Sequence, residues 1–409
     1  MSLPLEGFTV VAIEQAVAAP LATRNLADLG ARVIKVERVD GGDFARGYDH
    51  VVHGTGAHFV WLNRGKESIA VDLKSAEGRS IVRRLIGRAD VFLQNLAPGA
   101  ADRLGLGADE LRSQRPELIA VGISGFGVGG QFEQRKAYDM LIQAEAGLIS
   151  ITGTPDHPAK TGIPTADIAS GMYAAQAVLA ALLRRLRTGE GATIDVSMLD
   201  ATVEWMGHAL YTQMHAGAPP PRMGLSHTSI APYDAYPTSD GQVLIGVQND
   251  SGWRALVTDV LDAPQLADDP RFATNVDRVR NRAQCDAEVG ARTQRWSTVD
   301  LDARLAAAGI PAAQVKELSQ VVDHPQLRER NRWRTIGTEN ASVRALLPPA
   351  TFSDTDLAMG DVPALGEHTL ALLVESGLDE AAAADAVTRG VAHQADTVEP
   401  APTEKELSC

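Results

Sequence analysis

The fold is decided by FTVVAIEQAVAAPLATRNLADLGARVIKVE, residues 8–37. Two runs rich in β-branched apolar residues, 8–13 and 32–37, flank a helix-like stretch that ends at Gly30, a residue suited to a helix C-terminus. A strand, a helix and a second strand in this order predict parallel pairing through a right-handed crossover. The pattern is therefore typical of an α/β fold.

The same alternation continues along the chain. Further strands are expected at SIAVDL (68–73), DVFLQN (90–95), LIAVGISGFG (118–127) and TIDVSML (193–199), with helical stretches between them. This series predicts a Rossmann-like large domain built on a parallel sheet.

The chain changes character after a Pro-rich break near residue 218. The segment YDAYPTSDGQVLIGVQ indicates a hairpin that turns at Asp240-Gly241, and Arg- and Asp-rich helical segments follow. We therefore expect a smaller α+β domain. The predicted organisation is a large α/β domain over 1–217, a linker and small domain over 218–330, a return to the large domain over 331–387, and a disordered tail over 388–409.

Composition excludes several functional classes. The 409 residues carry 38 Lys plus Arg against 52 Asp plus Glu, a net charge of −14, which argues against nucleic-acid and anionic-membrane partners. Two cysteines, Cys285 and Cys409, are too few for a disulfide framework or a cysteine metal site. The longest apolar run, 172–183, is shorter than the roughly 20 residues that span a bilayer. We expect a soluble cytoplasmic protein without a membrane partner.

Asp167 is the first candidate functional residue. It lies in TADIASGMYAAQ (165–176), where it falls in the first turn of a long predicted helix. An acid at this position ordinarily accepts the free N–H groups of the helix start, so a capping role is one interpretation. The other interpretation is a reactive carboxylate, and the spacing alone leaves both open.

Basic residues near predicted strand ends form a second candidate set. In α/β sheets ligands bind beyond the carboxyl ends of strands, and Arg38, Arg103 and Lys136 fall in such positions. Together they could hold the phosphates of an anionic ligand, although each alone is more typical of a solvated surface charge. The G-x-G-x-x-G pattern at 125–130 lacks the apolar helix and the acidic residue of a dinucleotide site, so it predicts a flexible loop.

Nine segments, in order and spacing, carry a family resemblance from about Leu5 to about Leu378. They are LEGFTVVAIE, LADLGARVIKVER, NRGKESIAVDLKSAEGR, ADVFLQNLAPGAADRLG, YDMLIQAEAGLISITG, PTADIASGMYAA, TGEGATIDVSMLDA, GIPAAQV and PALGEHT. With these segments the chain resembles the family III CoA-transferases, which include formyl-CoA transferase, carnitine CoA-transferase and the related α-methylacyl-CoA racemases.

The resemblance implies a site and an assembly. It implies that Asp167 is the catalytic nucleophile, that the protein is an interlocked homodimer, and that CoA enters as a thioester substrate with no metal or redox cofactor. The CoA-binding positions that it implies are Arg38, Leu73, Asn95, Leu96, Arg103, Lys136 and Tyr138.

The chemistry of a carboxylate is consistent with this role. A free Asp has a pKa of about 3.9, so Asp167 should be ionised at neutral pH unless it is strongly desolvated. Its attack on an acyl-CoA thioester would give an aspartyl anhydride and then an aspartyl-CoA thioester, which an acceptor acid resolves. Backbone N–H groups near Ala18 and Ala19, or in the loop 125–130, are candidate donors to the oxyanion.

Two positions at which this chain differs from other family members narrow the reaction type and the acceptor acid. The related racemases carry His where this chain has Tyr138, and tyrosine, which titrates at about pH 10, is a poor proton acceptor at neutral pH. This favours a transferase over a racemase or isomerase, and a non-catalytic acyl-CoA-binding protein is a further alternative. Formyl-CoA transferase has Gln at the position of Val17, which disfavours formate and oxalate as substrates.

The segment RMGLSHTSIAPYDAYPTSDG (222–241) resembles family members that move CoA among small dicarboxylic acids such as succinate. Arg222, His227 and Ser229 are therefore candidates to bind the distal carboxylate of an acceptor. The alternative is that these three side chains stabilise the domain junction.

Overall fold

The computed structural model describes residues 2–395 of the chain. Its strands are β1 (Thr9–Ile13), β2 (Arg32–Glu37), β3 (Lys66–Val71), β4 (Val91–Gln94), β5 (Ile119–Ser124), β6 (Ala192–Ser197), β7 (Tyr233–Pro237), β8 (Gln242–Gly246), β9 (Ala312–Gln314), β10 (Trp333–Gly337), β11 (Ser342–Leu346) and β12 (Ala392–His393).

The helices alternate with these strands in the first half of the chain. They are α1 (Ala18–Asp28), α2 (Ala57–Leu62), α3 (Ala76–Ile86), α4 (Ala100–Arg103), α5 (Ala108–Gln114), α6 (Asp139–Glu145), α7 (Leu148–Ile151), α8 (Thr165–Thr188), α9 (Met198–Trp205), α10 (Gly207–Ala216), α11 (Asp250–Ala255), α12 (Asn275–Arg280), α13 (Arg282–Thr293), α14 (Thr298–Ala307), α15 (Leu318–Val322), α16 (Pro325–Glu329), α17 (Thr369–Glu375) and α18 (Glu380–Thr388). Short 3₁₀ turns span Phe44–Gly47 and Pro264–Leu266, and a π-helical turn spans Leu256–Val260.

The main sheet has seven strands in the order β12-β3-β2-β1-β4-β5-β6. Strands β1 to β6 are parallel, and β12 pairs antiparallel to β3 at the edge. The order 3-2-1-4-5-6 is that of the doubly wound dinucleotide-binding sheets, and it reverses between β1 and β4. The prediction of an α/β fold with a large, mostly parallel sheet is confirmed.

Alternation along β1 explains why both faces of this sheet are covered. Val10 and Ala12 pack in the cluster formed with α1 and α8, whereas Val11 and Ile13 pack with α3, α17 and α18 on the other face. Successive side chains of a strand point to opposite faces, so a wholly apolar strand requires helices on both sides.

Two small antiparallel sheets complete the architecture, one of β10–β11 and one of β7-β8-β9. The β7–β8 hairpin turns at Asp240-Gly241 as predicted. The chain divides into two compact units, one of 1–148, 161–208 and 329 onward, and one of 149–160 and 209–328. The boundaries given by the sequence stay predictions.

The predicted disordered tail over 388–409 is wrong in its first part. Helix α18 extends to Thr388, and β12 pairs Ala392 with Val71 on the outer edge of β3. Arg389 forms an ion pair with Glu77. The unpaired edge of β3 and the burial of Ala392 order this segment, which the composition of the tail does not indicate. Residues 396–409 lie outside the described part of the chain.

Helix α8 is longer than the apolar run that marks it in the sequence. Within residues 2–395 it is the one helix long and apolar enough to cross a bilayer, with a mean hydropathy of 1.4 over its most apolar window. Half of that window is buried inside the chain. The core helix of a soluble protein meets the same criterion, so this length and composition decide little about a membrane.

Candidate active site

Asp167 lies where the strand order of the main sheet reverses. It is the third residue of α8, and the backbone N–H of Ala18 lies near enough to its carboxyl to lower the pKa of that group. Ala18 is the first residue of α1, which begins shortly after β1 ends at Ile13. The carboxyl ends of β1 and its neighbour β4 form the crevice in which sheets of this order bind ligands. The structure therefore places Asp167 at that crevice.

A different acid caps α8. Oδ1 of Asp139, the first residue of α6, accepts the backbone N–H groups of Ala166 at 2.8 Å and Asp167 at 3.2 Å. Its Oδ2 accepts a hydrogen bond of 2.7 Å from Nε2 of Gln143. Because Asp139 satisfies these helix-start donors, the capping role falls to Asp139 and not to the carboxylate of Asp167.

Burial sets the protonation of Asp167. Desolvation, which is the largest cause, and the negative charge of Asp139 together raise the pKa of its carboxyl to about 7, and the N–H of Ala18 opposes both. A burial cost of this kind disfavours the charged form. The carboxyl therefore titrates near neutrality rather than being fully ionised, as a free Asp would be.

Tyr48 belongs to the same neighbourhood and was not identified from the sequence. Burial raises the pKa of its hydroxyl, and the charges of Asp43, Asp167 and Tyr138 contribute in the same direction. Its ring lies edge-on to His58 with centroids 5.9 Å apart. Tyr48 follows a 3₁₀ turn in an irregular stretch without strand or helix periodicity, so no sequence signal marked it.

The predicted CoA-binding residues follow the carboxyl ends of parallel strands in the main sheet. Each follows a parallel strand, at the carboxyl end where the resemblance and the general rule both expect a ligand. Arg38 follows β2, Leu73 follows β3, Asn95 and Leu96 follow β4, Arg103 ends α4, and Lys136 and Tyr138 lie between β5 and α6.

Arg38 is oriented by its own loop. Its guanidinium lies over the ring of Phe44, 4.4 Å from the centroid, and its Nε donates to the carbonyl of Gly42 at 3.0 Å. The stack orients the guanidinium, and Arg38 as a whole is exposed. A fixed planar cation of this kind suits a phosphate oxygen.

Asn95 has a contact that its predicted role does not include. Its Oδ1 accepts the backbone N–H of Gln15 at 3.0 Å, and its Nδ2 donates to the carbonyl of Gln15 at 2.9 Å. This reciprocal pair joins the ends of β1 and β4. The side chain of Asn95 therefore fixes the loop that follows β1.

The predicted acceptor-binding residues are divided between the two compact units. Val17 is buried in the first unit against Leu21, Leu62 and Ile168. Arg222, His227 and Ser229 belong to the second unit.

Arg222 is committed to backbone contacts. Its guanidinium donates to the carbonyls of Ser150, Thr154 and Pro155 at 2.9 to 3.0 Å. These three bonds hold the segment 149–160, which favours the structural interpretation of this side chain over carboxylate binding.

His227 and Ser229 form a local turn. Nδ1 of His227 accepts the backbone N–H of Ser229 at 3.1 Å, and the ring stacks on Tyr233 with centroids 5.2 Å apart. With Nδ1 accepting, the neutral ring carries its proton on Nε2, which can donate to an acid.

No group of three or more His, Cys, Asp or Glu side chains is arranged to hold a metal ion anywhere in residues 2–395. The loop 125–130 connects β5 to α6, with Gly127 and Gly130 at φ of +80° and +79°. The site instead contains the desolvated carboxylate of Asp167, the backbone N–H of Ala18 at the start of α1, and cations that follow the carboxyl ends of the parallel strands.

Comparison with known proteins agrees with this geometry. The model of CoA-transferase family III matches residues 5–369. A succinate–glutarate CoA-transferase of Agrobacterium fabrum is 36% identical over 91% of this chain and 95% of its own length. The human succinyl-CoA:glutarate CoA-transferase is 32% identical over 96% of this chain and 91% of its own.

Solved structures show the same similarity. A CaiB/BaiF family protein from Brucella suis is 38% identical and superposes with a TM-score of 0.82, covering 92% of this chain and all of that one. Rv3272 of Mycobacterium tuberculosis is 33% identical with a TM-score of 0.81, over 91% of this chain and 99% of that one. From the sheet order, the position of the carboxylate and these matches, the chain belongs to CoA-transferase family III.

Proposed function

We propose that this protein moves CoA from an acyl-CoA donor to a carboxylic acid acceptor, with Asp167 as the nucleophile. The observation that carries the proposal is the position of Asp167. Its carboxyl is desolvated, titrates near neutrality and meets a helix-start N–H at the crevice of the sheet. Perturbed acids in such crevices are the usual candidates for catalysis.

The exchange needs no net proton transfer. The carboxylate of Asp167 attacks the thioester carbonyl and the C–S bond breaks, which leaves an aspartyl anhydride and CoA thiolate. The thiolate then attacks Cγ of Asp167, which releases the donor acid and leaves an aspartyl-CoA thioester. The acceptor carboxylate and the thiolate repeat the two steps in reverse, which yields the new acyl-CoA and regenerates Asp167. Covalent catalysis divides one difficult exchange into four easier steps.

Ala18 has a defined task in these steps. Its N–H lies near enough to the carboxyl of Asp167 to lower the pKa of that group, and we propose that it stabilises the oxyanion when Cγ of Asp167 becomes tetrahedral. Removal of one such donor in other enzymes costs about 10²- to 10³-fold in rate.

We assign CoA binding to the residues that follow the carboxyl ends of the parallel strands. Arg38, Arg103 and Lys136 are exposed cations there and would hold phosphates, whereas Leu73 and Leu96 offer half-buried apolar contacts. Tyr138 is 73% exposed beside the site and has room to contact a ligand.

We propose small dicarboxylic acids such as succinate as the donor and acceptor acids. The two relatives compared above are named for succinate and glutarate. Nε2 of His227 is the predicted acceptor-site donor that the described contacts support best, with Ser229 and Val17 as further candidates. Arg222 is the weakest of the four because of its three carbonyl contacts.

A homodimer is proposed as the working form. Met172, Leu179, Leu183 and Leu186 are exposed along α8, at spacings that place them near one side of the helix. A contiguous exposed apolar surface typically marks a protein interface. A cytoplasmic location and the use of no cofactor besides the CoA thioester remain predictions from the sequence.

The experiment is chemical trapping. The purified protein is incubated with succinyl-CoA and hydroxylamine, and modified peptides are mapped by mass spectrometry. A hydroxamate on Asp167 is expected, because an anhydride or thioester of that carboxyl is the species that hydroxylamine intercepts. Asp167→Asn should carry no hydroxamate and should lose transfer from succinyl-CoA to glutarate by on the order of 10³-fold or more.

Glu190→Gln is the matched control for that variant. Glu190 is an acid just beyond the other end of α8, and its side chain forms an exposed ion pair with Arg184. It should keep full activity. Solvent deuterium incorporated at the α-carbon without an acceptor would instead support a racemase, and stoichiometric acyl-CoA binding without turnover would support a binding protein. Either result would overturn the proposal.

A further inference from the structure

The turn between β1 and α1 contains a strained residue. Ala16 has a φ of +63°, a left-handed conformation that residues other than glycine rarely adopt. Such strain persists only where the surroundings hold it, and it is concentrated at functional sites. Two residues further along is Ala18, whose N–H meets Asp167.

Asp43 holds this turn from one side. Its Oδ1 accepts the backbone N–H of Ala16 at 3.0 Å and that of Ala45 at 2.9 Å. Its Oδ2 accepts Nζ of Lys35 at 2.8 Å, and the side chains of both members of this ion pair are fully buried. All three of these contacts depend on a carboxylate, because each partner is a donor.

Lys35 is in turn fixed by the strand end itself. Its Nζ also donates to the backbone carbonyl of Glu14, at 3.3 Å, and the carboxylate of Glu14 binds Lys66 at 2.6 Å. The four buried side chains carry two positive and two negative charges, so the cluster is balanced only while each member is present.

The other side of the turn is held by Asn95, through the reciprocal bonds to the backbone of Gln15 described above. The backbone of the consecutive residues Gln15 and Ala16 is therefore held by Asn95, which follows β4, on one side and by Asp43, which follows β2, on the other. Helix α1 starts directly after it.

We infer that Asp43, held by Lys35, is a positioning residue that locks the left-handed turn at Ala16 and thereby aims the N–H of Ala18 at the carboxyl of Asp167. Asp43 does not touch the reacting atoms in this arrangement. The inference rests on the proposed function for the catalytic meaning of Asp167, whereas the lock on the turn stands on the contacts alone.

The test is Asp43→Asn. Whichever way the new amide turns, its NH₂ faces a donor, either Nζ of Lys35 or the N–H groups of Ala16 and Ala45, so one interaction is lost. The matched control is Asp28→Asn. Asp28 is another buried acid, paired with Arg64 at 2.6 Å, and it lies at the opposite end of α1 from the turn. Both variants lose a buried charge pair, but only one touches the turn.

We expect kcat/KM of Asp43→Asn to fall about 10- to 100-fold below that of Asp28→Asn, measured well below both melting temperatures. The acidic limb of its pH–rate profile should also move to higher pH, because the Ala18 N–H lowers the pKa of Asp167. Asp139 from α6, whose charge also acts on Asp167, is unchanged in both variants, whereas Asp43→Asn removes a charge that raises the pKa of the Tyr48 hydroxyl. A defect that only destabilises the fold would lower kcat/KM without moving the acidic limb of the pH–rate profile.

Rescue gives a second, sharper readout. Ala16→Gly in the Asp43→Asn background should recover part of the lost kcat/KM, because glycine adopts the left-handed conformation without the steric cost. If Asp43→Asn does not fold, the charge-balanced pair Lys35→Met with Asp43→Ala replaces it, with Asp28→Ala plus Arg64→Met as its control.

Amide hydrogen exchange separates this inference from the proposed function. Faster exchange of the peptide covering 14–21 in Asp43→Asn than in Asp28→Asn would establish the lock even if Asp167→Asn proved active. Unchanged exchange, or equal activity losses and limbs in the two variants, would overturn the inference while leaving the trapping result on Asp167 untouched.

Discussion

Oδ1 of Asp139 accepts the backbone N–H of Asp167 at 3.2 Å, so one acid caps the helix turn that presents the other. The arrangement has two opposed effects. The cap fixes the start of α8, and the charge of Asp139 makes ionisation of Asp167 less favourable. Because the pKa of Asp167 is raised to about 7, this nucleophile is active only in the fraction of molecules in which its carboxyl is deprotonated.

The first prediction concerns pH. Because the attacking form is the carboxylate, kcat/KM should rise with pH through an apparent pKa near 7. Asp139→Asn removes the like charge, so its acidic limb should move to lower pH. Initial rates across pH 5 to 9 measure both profiles, and a limb that stays in place would show that Asp139 does not control this titration.

The second prediction concerns stability. The pKa of Asp167 is raised in the folded state, so the protein loses stability as pH rises from the unfolded pKa to about 7. Asp167→Asn should therefore increase the free energy of unfolding by a few kcal/mol at pH 8, at about 1.4 kcal/mol per pKa unit, and by less at pH 5. Urea unfolding at the two pH values measures the difference. An equal effect at both would contradict the assigned burial.

The third prediction uses a close approach of two helices. A Cβ added to Gly171 of α8 would lie 2.5 Å from the carbonyl of Ala18, so Gly171→Ala must push α8 away from α1. We expect a loss of about 1–3 kcal/mol in stability and at least about tenfold in kcat/KM, because Asp167 separates from the Ala18 N–H.

Gly207→Ala is the control for that change. Gly207 is a helical glycine with open space at the Cβ position, so the substitution should be neutral or stabilising by up to about 1 kcal/mol. Thermal unfolding and steady-state rates distinguish the two variants. Equal behaviour would show that the helix contact does not set the geometry.

The fourth prediction concerns CoA. Arg38→Ala should raise KM for the acyl-CoA by about tenfold with little change in kcat, because it removes an oriented cation that binds substrate and transition state alike. Arg254→Ala, which loses an exposed ion pair with Asp268, should leave KM unchanged. An unaltered KM for Arg38→Ala would remove this residue from the CoA site.

The fifth prediction concerns assembly. Sedimentation equilibrium should give twice the chain mass, and Leu183→Glu with Leu186→Glu should shift the protein towards monomer by placing charges on the apolar side of α8. Val299→Glu, at a similarly exposed position on α14, should not change the mass. A wild-type monomer at micromolar concentration would contradict the proposed dimer.

Sequence patterns located the six parallel strands of the main sheet, after which the candidate ligand residues follow, but not its seventh strand, β12. They did so because apolar runs and glycine stops are local signals, and parallel pairing then follows from the spacing. The hydrogen bonds of Asp139 to α8 and of Asp43 to Ala16 join residues 27 apart in each case, and no local pattern encodes them. Lys35 interrupts the apolar run of β2. A charged residue inside a predicted buried strand is the sequence signal that could have indicated the buried cluster of Lys35, Asp43, Glu14 and Lys66.

Strand β12 has a consequence for biosynthesis. Because residues 392–393 close the outer edge of β3, that edge stays open on the ribosome long after β3 itself has emerged. An open strand edge is a template for pairing with other nascent chains. That edge of the growing polypeptide therefore stays available for such pairing until α18 and β12 have been synthesised.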